Sequence, residues 1–256
     1  MTNERRVLVH PDLEALVEAV AARFLTKVVD LLDEFDQVHV VLTGGTVGGD
    51  VQRVIASSRM RDTIDWTRVH FWWGDERFVA KDDPDRNELQ AREALLDSLP
   101  TPESNIHPFP ASDEIEDIER AAAAYAEVLK AHAPEGKAVP RFDITFLGVG
   151  PDGHIASLFP DRDGYRSGAK MVIAVHNAPK PPPDRLSLTL PAINTSDRIW
   201  MVLSGAEKAS ALGLALAGAS EDEVPVAGAQ GRKRTVFFVD SAAAANVPPN
   251  LIASTY

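Results

Sequence analysis

Short, nearly continuous apolar runs alternate with helix-patterned segments along most of this chain, and that alternation limits the fold more than any other feature. Leu13, Leu16, Val17, Val20, Phe24, Val28, Leu31 and Leu32 recur at three- and four-residue intervals, which predicts an amphipathic helix from Asp12 to Phe35. Val38 to Leu42 is a β-branched run feeding the turn Thr43-Gly44-Gly45-Thr46, with a helix expected from Val47 to Ser58. A strand at Val69 to Trp73, a helix at Asn87 to Leu99 and another at Asp113 to His132 continue the series. The clearest strand, Phe142 to Gly150, again ends in glycine. Later strands are expected at Met171 to Val175, Leu186 to Leu190, Ile199 to Leu203 and Val236 to Val239, and a helix at Ala206 to Ala217. Such a pattern predicts an α/β fold: a mostly parallel, Rossmann-like sheet with helices on both faces and ligands bound at the carboxyl ends of its strands. The Pro-rich stretch Pro179 to Pro183 is too short for a domain linker, and its flanks read as strands of the same sheet, so one domain over 1–256 is expected.

Composition bounds the chemistry. With 256 residues, 45% of them hydrophobic, the chain can bury a core without covalent staples, and it has no cysteine. Thiol nucleophiles and cysteine metal sites are therefore excluded, which leaves His, carboxylates, hydroxyls, Lys and backbone groups. A reducing cytoplasm is the expected location, although the absence of cysteine fits an oxidising compartment too. The net charge of −12 repels nucleic acid and anionic membranes, so neither is an expected partner, and any anionic ligand requires a local basic cluster. The N-terminal residues MTNERRVLVHPD lack the apolar centre of a secretory signal, and no run approaches the roughly 18 apolar residues of a membrane span.

Four segments carry candidate chemistry. Glycines at Gly44, Gly45, Gly48 and Gly49, on a strand-to-helix turn with Thr46, let backbone N–H groups approach an anion; the plain alternative is a tight turn without ligand. Asp75, Glu76 and Arg77 directly follow a buried strand, where charges need partners; they either pair with one another or offer a guanidinium to a phosphate or carbonyl oxygen. Gly148-Val149-Gly150-Pro151-Asp152-Gly153-His154 frames a histidine with glycines at a strand end, and Asp152 is near enough to orient it. His154 is thus the candidate general base on water. Lys180, Arg185 and Lys208 are late basic residues, and Lys208 sits in a first helical turn, where the helix dipole disfavours a cation unless an anion is present. Arg232-Lys233-Arg234 reads as a solvated strand entry. No His pair has the spacing of a metal site, so no metal is expected, and no G-x-S-x-G elbow is present to support a serine-hydrolase mechanism.

Phe146 to Pro160, together with Gly44-Gly45-Thr46, Trp73 to Arg77, Asn105-Ile106-His107, Lys180 to Arg185, Leu188-Thr189-Leu190 and Gly205 to Lys208, resembles the 6-phosphogluconolactonase family over nearly the whole chain. That family shares its fold with glucosamine-6-phosphate deaminases and, more distantly, ribose-5-phosphate isomerases. The likeness implies hydrolysis of 6-phospho-D-glucono-1,5-lactone in the pentose phosphate pathway, without cofactor; a monomer is the expected oligomeric state. His154, Asp152 and Arg77 would be catalytic; Gly44, Gly45, Thr46, Asp75, Lys180, Arg185 and Lys208 would bind the phosphosugar lactone. After His154 the chain reads Ala-Ser-Leu-Phe-Pro where deaminases carry Asn-Glu-Pro, and Arg77 stands where they place an aromatic residue. Departures from the lactonase pattern are Val47 for Pro, Arg86 for Ser and Ser187 for Thr. A sugar-phosphate deaminase or isomerase, and a sugar-phosphate sensor without catalysis, are the competing expectations.

Overall fold

The computed structural model describes residues 4–162 and 170–253. In chain order it contains β1 (Glu4–His10), α1 (Leu13–Glu34), β2 (Val38–Leu42), α2 (Thr46–Ser57), β3 (Val69–Trp73), β4 (Asp75–Arg77), α3 (Asn87–Ala94), α4 (Ile118–Ala131), β5 (Ile144–Gly148), β6 (Val172–Val175), β7 (Arg185–Leu188), α5 (Leu190–Ile193), β8 (Arg198–Leu203), α6 (Ala209–Leu216) and β9 (Arg234–Asp240), joined by several 3-10 turns. Six strands form a wholly parallel sheet in the order β1-β9-β8-β5-β2-β3. Its central strands are buried along almost their whole length, as a sheet covered on both faces requires. α1 starts on Asp12, whose carboxylate accepts from the Ala15 N–H at 2.9 Å, and turns Leu16, Val20, Phe24, Val28 and Leu31 into the core. At about 1.5–3 kcal/mol for each large side chain removed from water, that stripe holds the helix on the sheet. All four tryptophans are buried to 2% exposure or less.

The flanks of the Pro-rich stretch depart from expectation. β6 and β7 do not join the main sheet; they pair antiparallel with each other and with β4 in a separate three-stranded sheet, order β4-β7-β6. Leu190 opens α5, capped by the Thr189 hydroxyl, and does not end a strand. α4 begins at Ile118 and not at Asp113, because Asp117 caps it by accepting from Arg120 N–H. α3 ends at Ala94, and 3-10 turns replace the last turn of α3 and the first turn of α6. Arg232 and Lys233 are not merely solvated: they lie 3.6 and 2.8 Å from the buried Asp197 carboxylate.

At the amino ends of β2 and β3 the chain gathers histidines that the sequence leaves without a role. His70 Nδ1 and His107 Nε2 are 3.0 Å apart, Trp72 Nε1 donates to His39 Nδ1 at 3.1 Å, and the His107 ring stacks on Trp72 at 3.9 Å with His132 edge-on at 4.4 Å. Burial, reinforced by the neighbouring imidazoles, pushes His39 and His107 down to about 3, and burial lowers His70 as well.

Candidate active site

Strand order reverses between β2 and β5: the chain runs from β2 outward to β3 and then crosses back to β5 on the other side of β2. A crevice opens at the carboxyl ends of such a pair. The pocket there is lined by Thr43, Gly44 and Gly45 after β2, Gly148, Val149, Gly150, His154 and Ala156 in and after β5, Asp75 and Arg77 on β4, Asn87 at the start of α3, Lys180, Arg185 on β7, and Lys208 after β8. Both sheets therefore contribute walls.

His154 stands on a turn closed by Gly150 N–H donating to His154 O at 2.9 Å and Gly153 N–H donating to Gly150 O at 3.0 Å. Its Nδ1 is 2.5 Å from Asp152 Oδ1, and its ring packs 4.7 Å from that of Phe159. Burial holds His154 below the ordinary histidine value, against the upward pull of Asp152. The Asp152 carboxyl is held low: burial alone would raise it, and the His154 ring outweighs burial. With Nδ1 engaged by Asp152, Nε2 of a neutral ring is the free basic atom.

The opposite wall is organised by a carboxylate with no solvent exposure, Glu76. Its Oε1 accepts from the N–H groups of Arg77 (2.8 Å) and Asn87 (2.6 Å), and its Oε2 from that of Glu88 (2.9 Å), with the buried Arg86 guanidinium at 3.8 Å. Burial pushes Glu76 up to about 7 despite Arg86 and these donors. Glu76 so caps α3 from a distance and sets Asn87, whose Nδ2 donates to Asp75 O at 2.9 Å. Asn87 also explains Gly44: a Cβ there would lie 1.9 Å from Asn87 Oδ1. Asp75 Oδ2 accepts from Ser157 Oγ at 2.6 Å, and Arg77 Nη1 donates to Asp85 O at 2.5 Å.

Four cations meet the same space. Arg185 donates from Nε to Pro182 O (3.2 Å) and from Nη2 to Lys180 O (2.9 Å) and Pro181 O (3.2 Å), so it fixes the loop bearing Lys180. Burial lowers Arg185, and Arg77 adds to that; burial also lowers Lys208, with Lys180 contributing. Cations crowded this way favour a bound anion. α2 begins at Thr46 behind Gly45, which offers no side-chain acceptor to the first-turn N–H groups.

Of the residues expected from the sequence, Gly44, Gly45, Asp75, Arg77, His154, Lys180, Arg185 and Lys208 converge on the pocket lining. Asp152 stands behind His154, and Thr46 opens the adjoining helix without lining the pocket. Thr43 and Asn87 line it without having been singled out. Thr43 Oγ1 accepts from Gly148 N–H at 3.1 Å, tying the two glycine turns together. Its place directly before Gly44 was the available signal; Asn87 had none of comparable strength. The groups of three or more His, Asp or Glu that could hold a metal ion are absent among the described residues.

The family model described as glucosamine-6-phosphate isomerases/6-phosphogluconolactonase matches residues 11–238. A 6-phosphogluconolactonase of Streptomyces coelicolor is 49% identical over 98% of this chain and 98% of its own length, and one of Mycobacterium tuberculosis is 43% identical over 94% and 97%. Among solved structures, the 6-phosphogluconolactonase of Thermotoga maritima is 29% identical with a TM-score of 0.80, covering 93% of this chain and all of its own. A monomeric glucosamine-6-phosphate deaminase, 18% identical with a TM-score of 0.78 over 94% of this chain and 99% of its own, shares the fold. With most of its length matched by the family model and its full length by such relatives, the chain belongs to the glucosamine-6-phosphate isomerase/6-phosphogluconolactonase family.

Proposed function

We propose that His154 acts as general base in the hydrolysis of 6-phospho-D-glucono-1,5-lactone. Membership of the family and the full-length likeness to named lactonases make the chain a hydrolase of the 6-phosphogluconolactonase class, acting in the pentose phosphate pathway. The observation that carries the residue roles is the convergence of the His154–Asp152 pair with Arg77, Lys180, Arg185, Lys208 and two glycine turns on one crevice.

In this reading His154 Nε2 takes a proton from water as the water oxygen bonds to the lactone C1. Asp152 holds the ring and supports the imidazolium. Charge developing on the carbonyl oxygen is met by Arg77 and backbone N–H groups. As the carbonyl re-forms and the C1 to ring-oxygen bond breaks, the imidazolium returns its proton to the departing ring oxygen; the carboxylic acid so formed loses its proton to solvent as 6-phosphogluconate. The phosphate is held by the Gly44-Gly45 turn, the open first turn of α2 at Thr46, and Lys208, with Arg185 and Lys180 completing the positive wall. Asp75 and Asn87 shape the wall facing the sugar hydroxyls. Anchoring the remote phosphate converts binding energy into orientation of C1. A single domain working in the cytoplasm as a monomer, without nucleic-acid partners, is part of the same proposal.

A continuous assay on freshly generated lactone, corrected for spontaneous opening, tests it. His154→Ala is expected to lower kcat by about a hundred- to ten-thousandfold with KM little changed. The wild-type kcat/KM should fall on acidification with an apparent pKa below the ordinary histidine value, and the variant should lose that limb. Unimpaired turnover by His154→Ala, or ammonia release from glucosamine 6-phosphate, would refute the assignment.

A further inference from the structure

We infer that Asp240 is a positioning residue for phosphate recognition, acting through the turn that carries Lys208. The inference rests on the proposed role of Lys208. Asp240 is the last residue of β9, next to β8 in the sheet, and is buried. Its carboxylate accepts from Ser204 Oγ at 2.5 Å, from Gly205 N–H at 3.1 and 3.2 Å, and from Ala243 N–H at 2.7 Å. Ser204 and Gly205 form the exit from β8, and Gly205 O in turn accepts from Lys208 N–H at 3.1 Å, closing the 3-10 turn Ala206–Lys208. One carboxylate thereby fixes the start of the turn whose end delivers a pocket cation.

The chemistry of the link is directional. Charge-assisted bonds to a buried carboxylate hold a backbone more firmly than neutral ones. The carboxyl stays ionised: burial would raise it, but the Ser204 hydroxyl and the Ala243 and Gly205 N–H groups hold it below the ordinary range. Without that anchor Gly205 gains freedom, and the Lys208 ammonium must be ordered by the ligand at the ligand's expense in affinity. The chemical step at C1, on the β5 side, does not involve this turn. The effect should therefore fall on binding of the phosphate and not on turnover.

The experiment measures kcat and KM for the phosphorylated lactone, and kcat/KM for unphosphorylated glucono-1,5-lactone, in wild type, Asp240→Asn, Lys208→Ala and the double variant, with Tm recorded for each. Loss of one charge-assisted anchor predicts a KM for the phosphorylated lactone raised roughly tenfold by Asp240→Asn, with kcat within about twofold. Action on the unphosphorylated lactone should be unchanged, and Asp240→Asn should add nothing further in the Lys208→Ala background. Equal losses on both lactones, or an undiminished effect in the Lys208→Ala background, overturn the inference in favour of a purely structural role; so does an unchanged KM. A Lys208→Ala variant with normal KM refutes the phosphate reading itself and the inference with it, whereas a raised KM there with a normal one in Asp240→Asn sinks the inference alone. Should Asp240→Asn fold poorly, Ser204→Ala removes one donor and leaves the carboxylate; it should raise KM for the phosphorylated lactone in the same selective way, and a KM equal to wild type overturns the inference.

Discussion

A Cβ on residue 150 would lie 2.0 Å from His154 Nδ1 and 2.5 Å from Asp152 Oδ1, so glycine is the residue that lets the pair form at all. Gly150→Ala should force the imidazole off its carboxylate partner while leaving the exposed rim of the turn free to relax. A displacement on the order of 1 Å at a catalytic group costs about a hundredfold in rate; the expected outcome is such a loss in kcat with Tm nearly unchanged, read by the lactone assay beside thermal unfolding. The same logic separates what a sequence reveals at this scale from what it hides. His154 and Asp152 are legible because the glycines that give them room are their chain neighbours. Asn87 is not, because its position is set by Glu76, eleven residues earlier, capping α3 across the pocket wall. Long-range capping of that kind leaves no local pattern.

Elements follow a similar rule. Five of the six strands of the large sheet are read from the sequence because burial on both faces imposes continuous apolar runs. β4 is composed of Asp75, Glu76 and Arg77 and escapes any hydrophobicity pattern; it is a strand because Arg185 to Ser187 pair with it antiparallel. β1 starts with Glu4-Arg5-Arg6, the charged composition of an edge strand, and is missed for that reason. The histidines at the amino ends of β2 and β3 also come together only in the fold, and they make a prediction about acid. An imidazole kept neutral at about 3 when folded and near 6.5 when unfolded takes up its proton only in the unfolded chain between those values, so folding stability is lost as pH falls through that window. For His107 the loss amounts to about 2 kcal/mol between pH 7 and pH 5. Glu76 and Asp143, raised to about 7 and about 6 by burial, work in the opposite direction, since they gain protons in the fold first. The test is therefore differential: in urea unfolding, the stability of His107→Gln relative to wild type should improve by about 2 kcal/mol on going from pH 7 to pH 5. A pH-independent difference would contradict the account.

At the scale of the whole molecule, a net charge of −12 surrounds a crevice that gathers Arg77, Lys180, Arg185 and Lys208. Composition alone argued against an anionic ligand; the topology answers that by bringing cations from β4, β7, the loop before it and the exit of β8 to one place. The crevice also lies between two sheets of unequal extent, six strands against three. A phosphosugar that touches Arg77 and Arg185 on one side and the Gly44 turn and Lys208 on the other would bind the folded chain and not the unfolded one. With 6-phosphogluconate at a hundred times its Kd, mass action would favour the folded chain by about 2.7 kcal/mol. Amide hydrogen exchange in Asp75–Arg77 and Arg185–Leu188 should slow on adding it, more than exchange in β1 or β9 does; equal protection everywhere would count against binding in this crevice. A ligand that bridges the crevice would then be a non-covalent cross-link between the two sheets, and the chain's resistance to unfolding should rise with the phosphosugar level.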